Sequence, residues 1–314
     1  MNRFFALRSV FALCLGAAAL TFASCSDDDE TTGSNPPTPG QTDPDNPAAA
    51  ATPVTGMASP WGEAAVYRYD AEGRLVSGTD LEGNAFRFTF SPMGLSLDDG
   101  DGYTEKWSGI RLNADGTLAS GSAAFEDSYE GDTDRGSGNI ACTYNADGRL
   151  ASASLTTRDD EGAATDVYTF EYVGNNLVKM TNVYREEGYE YNGTYEFAYA
   201  ADSLRLNTSG VYLMAEALMY DFLWYGGYFG RPTANIPVSV TESYNETGGT
   251  PYSSTKDINV EYDSEGNIAR LTSLYSGELS FTYAAAPDTA SKVAPLSAPK
   301  PAKRRAHLFG RMAR

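Results

Sequence analysis

Histidine is almost missing from this chain. Of 314 residues only His307, close to the C-terminus, is a histidine. A Ser-His-Asp or Cys-His relay needs an imidazole in the folded body, and a histidine-based zinc site needs several. Both chemistries are therefore excluded. Cysteine is scarce too, at positions 14, 25 and 142 alone. No glycine-rich loop follows a strand pattern and opens a helix pattern, which removes the phosphate-loop and dinucleotide fingerprints. Bases are few where acids are many. Two of the 23 bases precede residue 10 and seven lie from Lys292 onward, which leaves 14 against all 42 acids between, a net of −28. A body this acidic repels phosphate backbones, so nucleic acid is excluded as its partner.

What is present begins with an address. Arg3 and Arg8 precede the apolar run VFALCLGAAALTFA and then Cys25. That run is too short for a stable span and reads as a cleaved export signal over residues 1–24. Its end, LTFASC, resembles a bacterial lipobox, with small residues Ala23 and Ser24 before the cysteine. Phe22 stands where an aliphatic residue is usual, a departure that lipoproteins of the Bacteroidetes type tolerate. The resemblance implies that Cys25 is acylated, with palmitate among the chains, and anchors the protein in the outer membrane. The following SDDDE, Ser26 to Glu30, resembles the acidic signal that sends such lipoproteins to the cell surface; a solvated linker is the plainer alternative. Residues 31–60 are rich in Pro, Thr, Gly and Asn and lack hydrophobic periodicity, so residues 25–60 are expected to form the anchor and a flexible tether. Only Cys142 then remains in the body. It offers no disulfide partner, and its strand position IACTY makes it a buried small hydrophobe.

From residue 61 the chain repeats itself. YRYDAEGRL from Tyr67 returns as CTYNADGRL from Cys142, VEYDSEGNI from Val260 and, more loosely, IRLNADGTL from Ile110. Residues alternate with the period of a strand up to the Asp or Asn. That side chain can cap a turn, and the glycine supplies the positive φ that a type I turn with a bulge requires. Each copy reads as a β-hairpin. The residues before the turns are Tyr69, Phe90, Leu112, Tyr144, Tyr172, Tyr199 and Tyr262; the return residues are Leu75, Leu95, Leu118, Leu150, Leu177, Leu204 and Ile268. Units this small borrow their core from their neighbours.

The long gap between the last two copies holds VYLMAEALMYDFLWYGGYFGRP. Its apolar spacing predicts a short helix near residues 211–225, stopped by Gly226 and Gly227. It reads as a plug covering an open end of the sheet, with a ligand-binding aromatic surface as the alternative. The motif Tyr-x-Tyr-Asp-x-x-Gly-Arg-Leu resembles the YD repeats of Rhs-type and teneurin-type shells. The whole of residues 61–284 is more similar to a group of Bacteroidetes lipoproteins built around a domain of unknown function. There, hairpins of this kind precede a helical element, a phrase like YGGYFGRPTANIPVSV and a final YD-type hairpin with a closing strand, here LSFTY. That resemblance implies a porin-like strand layout and brings no activity or catalytic residues. Because Ser, Thr, Arg and Glu occupy the second strand face, a membrane pore is not expected. The expected fold is all-β: an antiparallel hairpin meander, curved or forming a partial barrel, with that one helix inserted.

Site candidates are thin. Asp98, Asp99 and Asp101 could offer oxygens to calcium, although their spacing fails the EF-hand pattern. Trp61, Trp107 and Trp224 are candidates for stacking on sugar rings, against the packing role that sheets give aromatics. Ser203 and Thr289 sit in Asp-Ser-Leu and Asp-Thr-Ala, which resemble Bacteroidetes O-glycosylation acceptors. Residues 285–314 form a basic tail that reads as disordered, with contact to anionic lipid or to the acidic body as alternatives. No catalytic residue and no cofactor is called for. The leading expectation is a non-enzymatic, surface-displayed envelope lipoprotein whose loops meet a glycan or protein partner. A structural accessory of an envelope assembly comes second, and a glycosidase, which would need two carboxylates across a cleft, third. A binding module should cluster its exposed aromatics at one concave site, whereas a scaffold should not.

Overall fold

The computed structural model describes residues 53–129, 132–159, 162–200, 221–272 and 277–284. The repeated motif forms the turns that its sequence dictates. In the first copy Asp70 Oδ1 accepts from the backbone N–H groups of Glu72 and Arg74 at 3.1 and 2.9 Å, and Gly73 sits at φ +77°. Asn145 and Asp263 cap their turns in the same way, with Gly148 and Gly266 also at positive φ. A side-chain oxygen at the first position and a residue free to adopt left-handed φ at the fourth make a turn that closes with little help from the rest of the chain.

Seventeen strands result among the described residues. The short ones that follow the N-terminus are β1 (Val54–Ala58), β2 (Ala64–Tyr69), β3 (Leu75–Thr79), β4 (Ala85–Phe90) and β5 (Met93–Asp98). The long ones are β6 (Tyr103–Leu112), β7 (Leu118–Tyr129), β8 (Asp132–Tyr144), β9 (Leu150–Arg158), β10 (Ala163–Val173), β11 (Asn176–Glu186) and β12 (Tyr189–Ala198). After a helix α1 (Asp221–Tyr225) come β13 (Ser239–Tyr244), β14 (Tyr252–Asp257), β15 (Val260–Tyr262), β16 (Ile268–Thr272) and β17 (Glu278–Tyr283). Neighbours in sequence pair antiparallel, and β1 pairs with both β2 and β17. At about 3.4 Å per residue, the wall is roughly twice as high along β6–β12 as along the rest.

The meander turns back on itself yet is not closed by hydrogen bonds all the way round. Among the described residues β14 is paired with β13 and β15 with β16, and no ladder joins β14 to β15. Counting alternate directions around the pairings, these two strands run the same way, so they are successive stretches of one line of chain. At the break the chain changes partner. Ile258 N–H donates to Val238 O beside β13, and Thr272 N–H donates to Asn259 O beside β16.

Inside and outside are sharply sorted. Inward positions include Met57, Tyr67, Phe86, Phe88, Leu95, Ile140, Leu155, Phe170, Met180, Phe197, Leu271 and Leu279, all buried. Outward positions of the long strands carry Ser120, Ser122, Ser137, Thr143, Ser152, Thr156, Thr165, Thr169, Thr181 and Thr194, with charged residues among them. Their hydroxyls pair across strands, as in Thr143–Ser152 at 2.7 Å and Thr241–Thr255 at 2.9 Å. A transmembrane barrel needs the opposite arrangement, an outward apolar band with a polar lumen. Among the described residues no helix is long and apolar enough to cross a membrane either.

The tyrosine of the repeat has a job the turn alone does not explain. Tyr144 donates its hydroxyl to Leu118 O, Tyr199 to Leu177 O and Tyr283 to Ile268 O, each at 2.8–2.9 Å. Each acceptor is the return residue of an earlier hairpin, so the motif fastens one unit to another. Tyr69 does the same to Val54 O at 3.1 Å. The hydroxyl of Tyr172 is buried and has no hydrogen-bond partner among the described residues.

Two expectations need correction or restriction. The tether does not reach residue 60, because Val54–Ala58 is β1, which holds two neighbours and completes the wall. Alternating apolar residues are too few in VTGMA to mark a strand without its partners. The helix is seen as Asp221–Tyr225; the rest of the 211–225 call lies outside the described residues. So do Cys25, Ser203, Thr289 and the basic tail.

Candidate functional site

Two constellations inside the wall bring functional side chains together. The first is the plug. All five residues of α1 are buried. Phe222 stacks on Phe86 at 4.9 Å, Tyr225 lies against Tyr67 at 4.9 Å, and Tyr228 lies against Phe88 at 5.1 Å. Gly226 and Gly227 end the helix, Gly227 at φ +76°, and the chain then runs along one rim. Leu118 N–H donates to Tyr228 O, Arg231 N–H to Gly148 O, Leu177 N–H to the Thr233 hydroxyl and Ala234 N–H to Asn175 O. The phrase YGGYFGRPTANIPVSV thus ties the turns of three hairpins together.

Asp221 is the one acidic residue among the described positions of that helix. It is 7% exposed, accepts the Tyr67 hydroxyl at Oδ2 and the Phe222 N–H at Oδ1, and feels the charge of Asp80. Burial, then the Asp80 carboxylate, push its pKa up. Asp80 opens the β3–β4 turn, where its carboxylate accepts from Glu82 N–H, Asn84 N–H and the Asn84 amide. Burial raises its pKa as well.

The second constellation lines the inner face of the long strands. Glu105, 1% exposed, accepts from the Tyr103 hydroxyl at 2.6 Å and from Trp107 Nε1. Burial pushes its pKa up to about 7. Asp166, also 1% exposed, accepts from the Tyr168 hydroxyl at 2.9 Å and from the Asn182 amide. Tyr184 donates to Glu186, Tyr189 to Glu246 and Tyr195 to Glu242. Three of these pairs are two residues apart on one strand, the spacing that puts both side chains on one face. Sequence reasoning missed them, although Tyr-x-Glu and Asp-x-Tyr inside an alternating strand are their signal. Each carboxylate is satisfied by a phenol, so the arrangement stores polar groups in a core. It does not hold two acids apart across an open cleft.

The residues singled out from sequence are scattered. Trp107 and Trp224 are 4% exposed and belong to the core; Trp61 is 76% exposed on the β1–β2 turn. The three therefore form no stacking surface, because inward strand and plug positions claim two of them. Tyr252 and Tyr262, 43% and 38% exposed, lie on opposite rims, and Tyr252 stacks on Tyr244 at 4.2 Å. Asp98 Oδ1 caps Gly100 N–H, and Asp99 Oδ1 accepts from Asp101 and Tyr103 N–H. Among the described residues no group of three His, Cys, Asp or Glu is arranged to hold a metal ion, and Asp98, Asp99 and Asp101 serve the turn. Cys142 is buried, and that burial pushes its thiol up to about 12, which makes it inert.

The two rims differ in what they hold. The repeat turns, at residues 70–74, 113–117, 145–149 and 263–267, all fall on one. The same rim carries both ends of the described barrel, where Ala284 N–H donates to Pro53 O at 3.0 Å. The other rim holds Trp61, residues 99–102 and residues 245–251, with Asp98, Asp99 and Asp101 beside it.

No protein-family model and no curated protein matches this chain. Among solved structures it is similar to a porin-like protein from Bacteroides vulgatus, at 12% identity and TM-score 0.51, over 74% of this chain and 99% of that one. A porin-like protein from Bacteroides uniformis aligns at 14% identity and TM-score 0.48, over 74% and 98%. At this identity the first likeness establishes a shared fold: the all-β meander of 17 strands is the porin-like one.

Proposed function

We propose that this chain is a non-catalytic envelope lipoprotein, held through Cys25, that displays the loop rim of its β-wall at the cell surface to a partner. The observation that carries the reading is that the described wall begins and ends, at Pro53 and Ala284, on the turn rim. An anchor and tether leaving from that rim turn the opposite rim, with Trp61 and the acidic residues 98–101, away from the lipid. The porin-like fold of Bacteroides proteins is in keeping with an envelope location. The sorted wall supports display over conduction: hydroxyls face out, and aromatic and aliphatic side chains fill the inside. Satisfied, buried carboxylates and the near absence of histidine support a role without catalysis.

The burial of Trp107 and Trp224 counts against a glycan stacked on the three tryptophans and favours a protein partner met through acidic loops. It equally favours the second reading, a scaffold in an envelope assembly. An epitope inserted at residues 99–102, probed with antibody on intact cells, tests the display. Labelling of intact cells, with a periplasmic control unlabelled, is the expected result. Labelling only after the outer membrane is broken overturns it. Crosslinking from the same insertion distinguishes a partner in the medium from one in the envelope.

A further inference from the structure

Both ends of the described wall leave it at one point of the turn rim. Ala284 N–H donates to Pro53 O at 3.0 Å, and the Tyr283 hydroxyl, donating to Ile268 O at 2.8 Å, fixes the last strand to its neighbour. Sixteen residues beyond Ala284 a basic segment begins. Residues 300–314 hold six bases, Lys300, Lys303, Arg304, Arg305, Arg311 and Arg314, with no acid, and the apolar Leu308, Phe309 and Met312 among them. The segment therefore starts on the side of the wall from which Pro53, and with it the chain toward Cys25, departs. The acids that flank this exit are already engaged. On one side Asp70 and Glu72 both meet Arg74, at 2.7 and 3.4 Å; on the other Glu261 meets Arg270 at 3.7 Å. Asp115 accepts from the Thr117 N–H and hydroxyl, and Asp263 from the Glu265 and Asn267 N–H groups, so each serves its own turn. Exposed carboxylates of this kind offer a cationic segment little that water does not.

We infer that residues 300–314 bind the phosphate headgroups of an anionic membrane and hold the turn rim toward it. This contact adds to the anchoring proposed for Cys25, on which its orientation rests. A lipid surface presents phosphates close together, and each base brought within a Debye length of it adds to the attraction. Leu308, Phe309 and Met312 supply apolar surface for the boundary between headgroups and acyl chains. The wall alone has the wrong charge for such a neighbour. Asp147 and Glu265 are exposed on turn tips of the same rim, where lipid phosphate repels them. Bases placed between rim and lipid offset that repulsion, so the tail draws an acidic wall to a surface that it would otherwise stand away from.

The test is trypsin digestion of the full-length protein on vesicles of phosphatidylcholine alone or mixed with phosphatidylglycerol, with cleavage after Arg311 followed by mass spectrometry. The mixed vesicles should slow that cleavage about tenfold or more relative to phosphatidylcholine, and high salt should restore it. Lys303→Gln, Arg304→Gln and Arg305→Gln together should abolish the protection and leave the wall folded, since they lie outside residues 53–284. Equal cleavage on the two kinds of vesicle overturns the inference. So does equal protection on both, and carbodiimide crosslinks from Lys300 or Lys303 to the wall would then show the tail folded back on the acidic body. The anchor is read separately, from the mass of the Cys25 peptide. An unacylated Cys25 with binding only to the mixed vesicles would remove the anchor reading and leave the tail contact standing.

Discussion

The long-strand and short-strand halves of this wall share an exterior and a turn but solve the interior differently. On the short side, strands of three to six residues enclose a space that their own side chains do not fill, and α1 is laid into it. On the long side, strands of nine to thirteen residues face one another with tyrosine–carboxylate pairs among the apolar residues. A filled core therefore needs no single recipe here. One half imports apolar volume from a distant segment; the other buries acids and satisfies each with a phenol. The short half should fail when volume is lost, and the long half when a hydrogen bond is lost or a proton is removed.

The largest break should come from the plug. Phe222 is 1% exposed and touches Phe86 and Phe88, so Phe222→Ala should cost about 3–5 kcal/mol in chemical denaturation. A loss under about 1 kcal/mol would show that the short half does not depend on α1.

Proton loss should come next, with Glu105 as its probe on the long half. Glu105, with its pKa at about 7, is protonated in the fold over a range where the unfolded chain has ionised. The folded state thus binds the extra proton, and stability must fall as pH rises from the ordinary carboxylate range through 7. The Glu105 contribution is about 3 kcal/mol. Denaturation midpoints at pH 5 and 8 should differ in that direction, and Glu105→Gln should remove much of the difference. A protein more stable at pH 8 than at pH 5 would contradict the buried-acid account.

Why the two halves were unequally legible from sequence follows from the same contrast. The turns could be read because Asp70, Gly73 and their counterparts act within five residues. The hairpin positions Tyr69, Leu75, Tyr144, Leu150, Tyr262 and Ile268 all fall at the ends of strands as their spacing implies. The plug was legible as a break in the repeat, and its glycines marked its end. Strand β1 was not, since VTGMA becomes a strand only when β2 and β17 flank it. Nor were the acid pairs, because 42 acids hide the few that turn inward. Trp107 and Trp224 looked like ligand platforms since a tryptophan's burial depends on strand parity and on the placing of a plug that composition does not encode.

A smaller effect separates copies of the same motif. Tyr144 donates to both Leu118 O and Tyr228 O, at 2.9 and 3.0 Å, joining hairpin to hairpin and wall to plug chain. Tyr144→Phe should cost about 1–2 kcal/mol, because Leu118 O loses the phenol donor while Tyr228 O keeps only the Leu118 N–H. Tyr172 occupies the equivalent place with no partner for its hydroxyl among the described residues, so Tyr172→Phe should be neutral or slightly stabilising. Equal losses in the two variants would sink the idea that the motif's tyrosine fastens one unit to another.

The smallest effect should come from the exterior that both halves share. Thr241 and Thr255 face outward on β13 and β14, their hydroxyls 2.9 Å apart. In water such a pair exchanges one hydrogen bond for another of similar strength, and Val suits a strand as well as Thr does. Thr241→Val should therefore change stability by no more than about 0.5 kcal/mol. What the hydroxyls provide is then compatibility with water along a wall that would otherwise present apolar β-surface to lipid or to other chains. Replacing Thr169, Thr181, Thr241 and Thr255 together by Val should leave the denaturation midpoint nearly unchanged and promote self-association in sedimentation. A monomer as soluble as the parent would mean that the charged outward residues suffice. A large loss of stability would mean that the hydroxyl pairs hold the wall together, and that the contrast between the halves extends to its outer face.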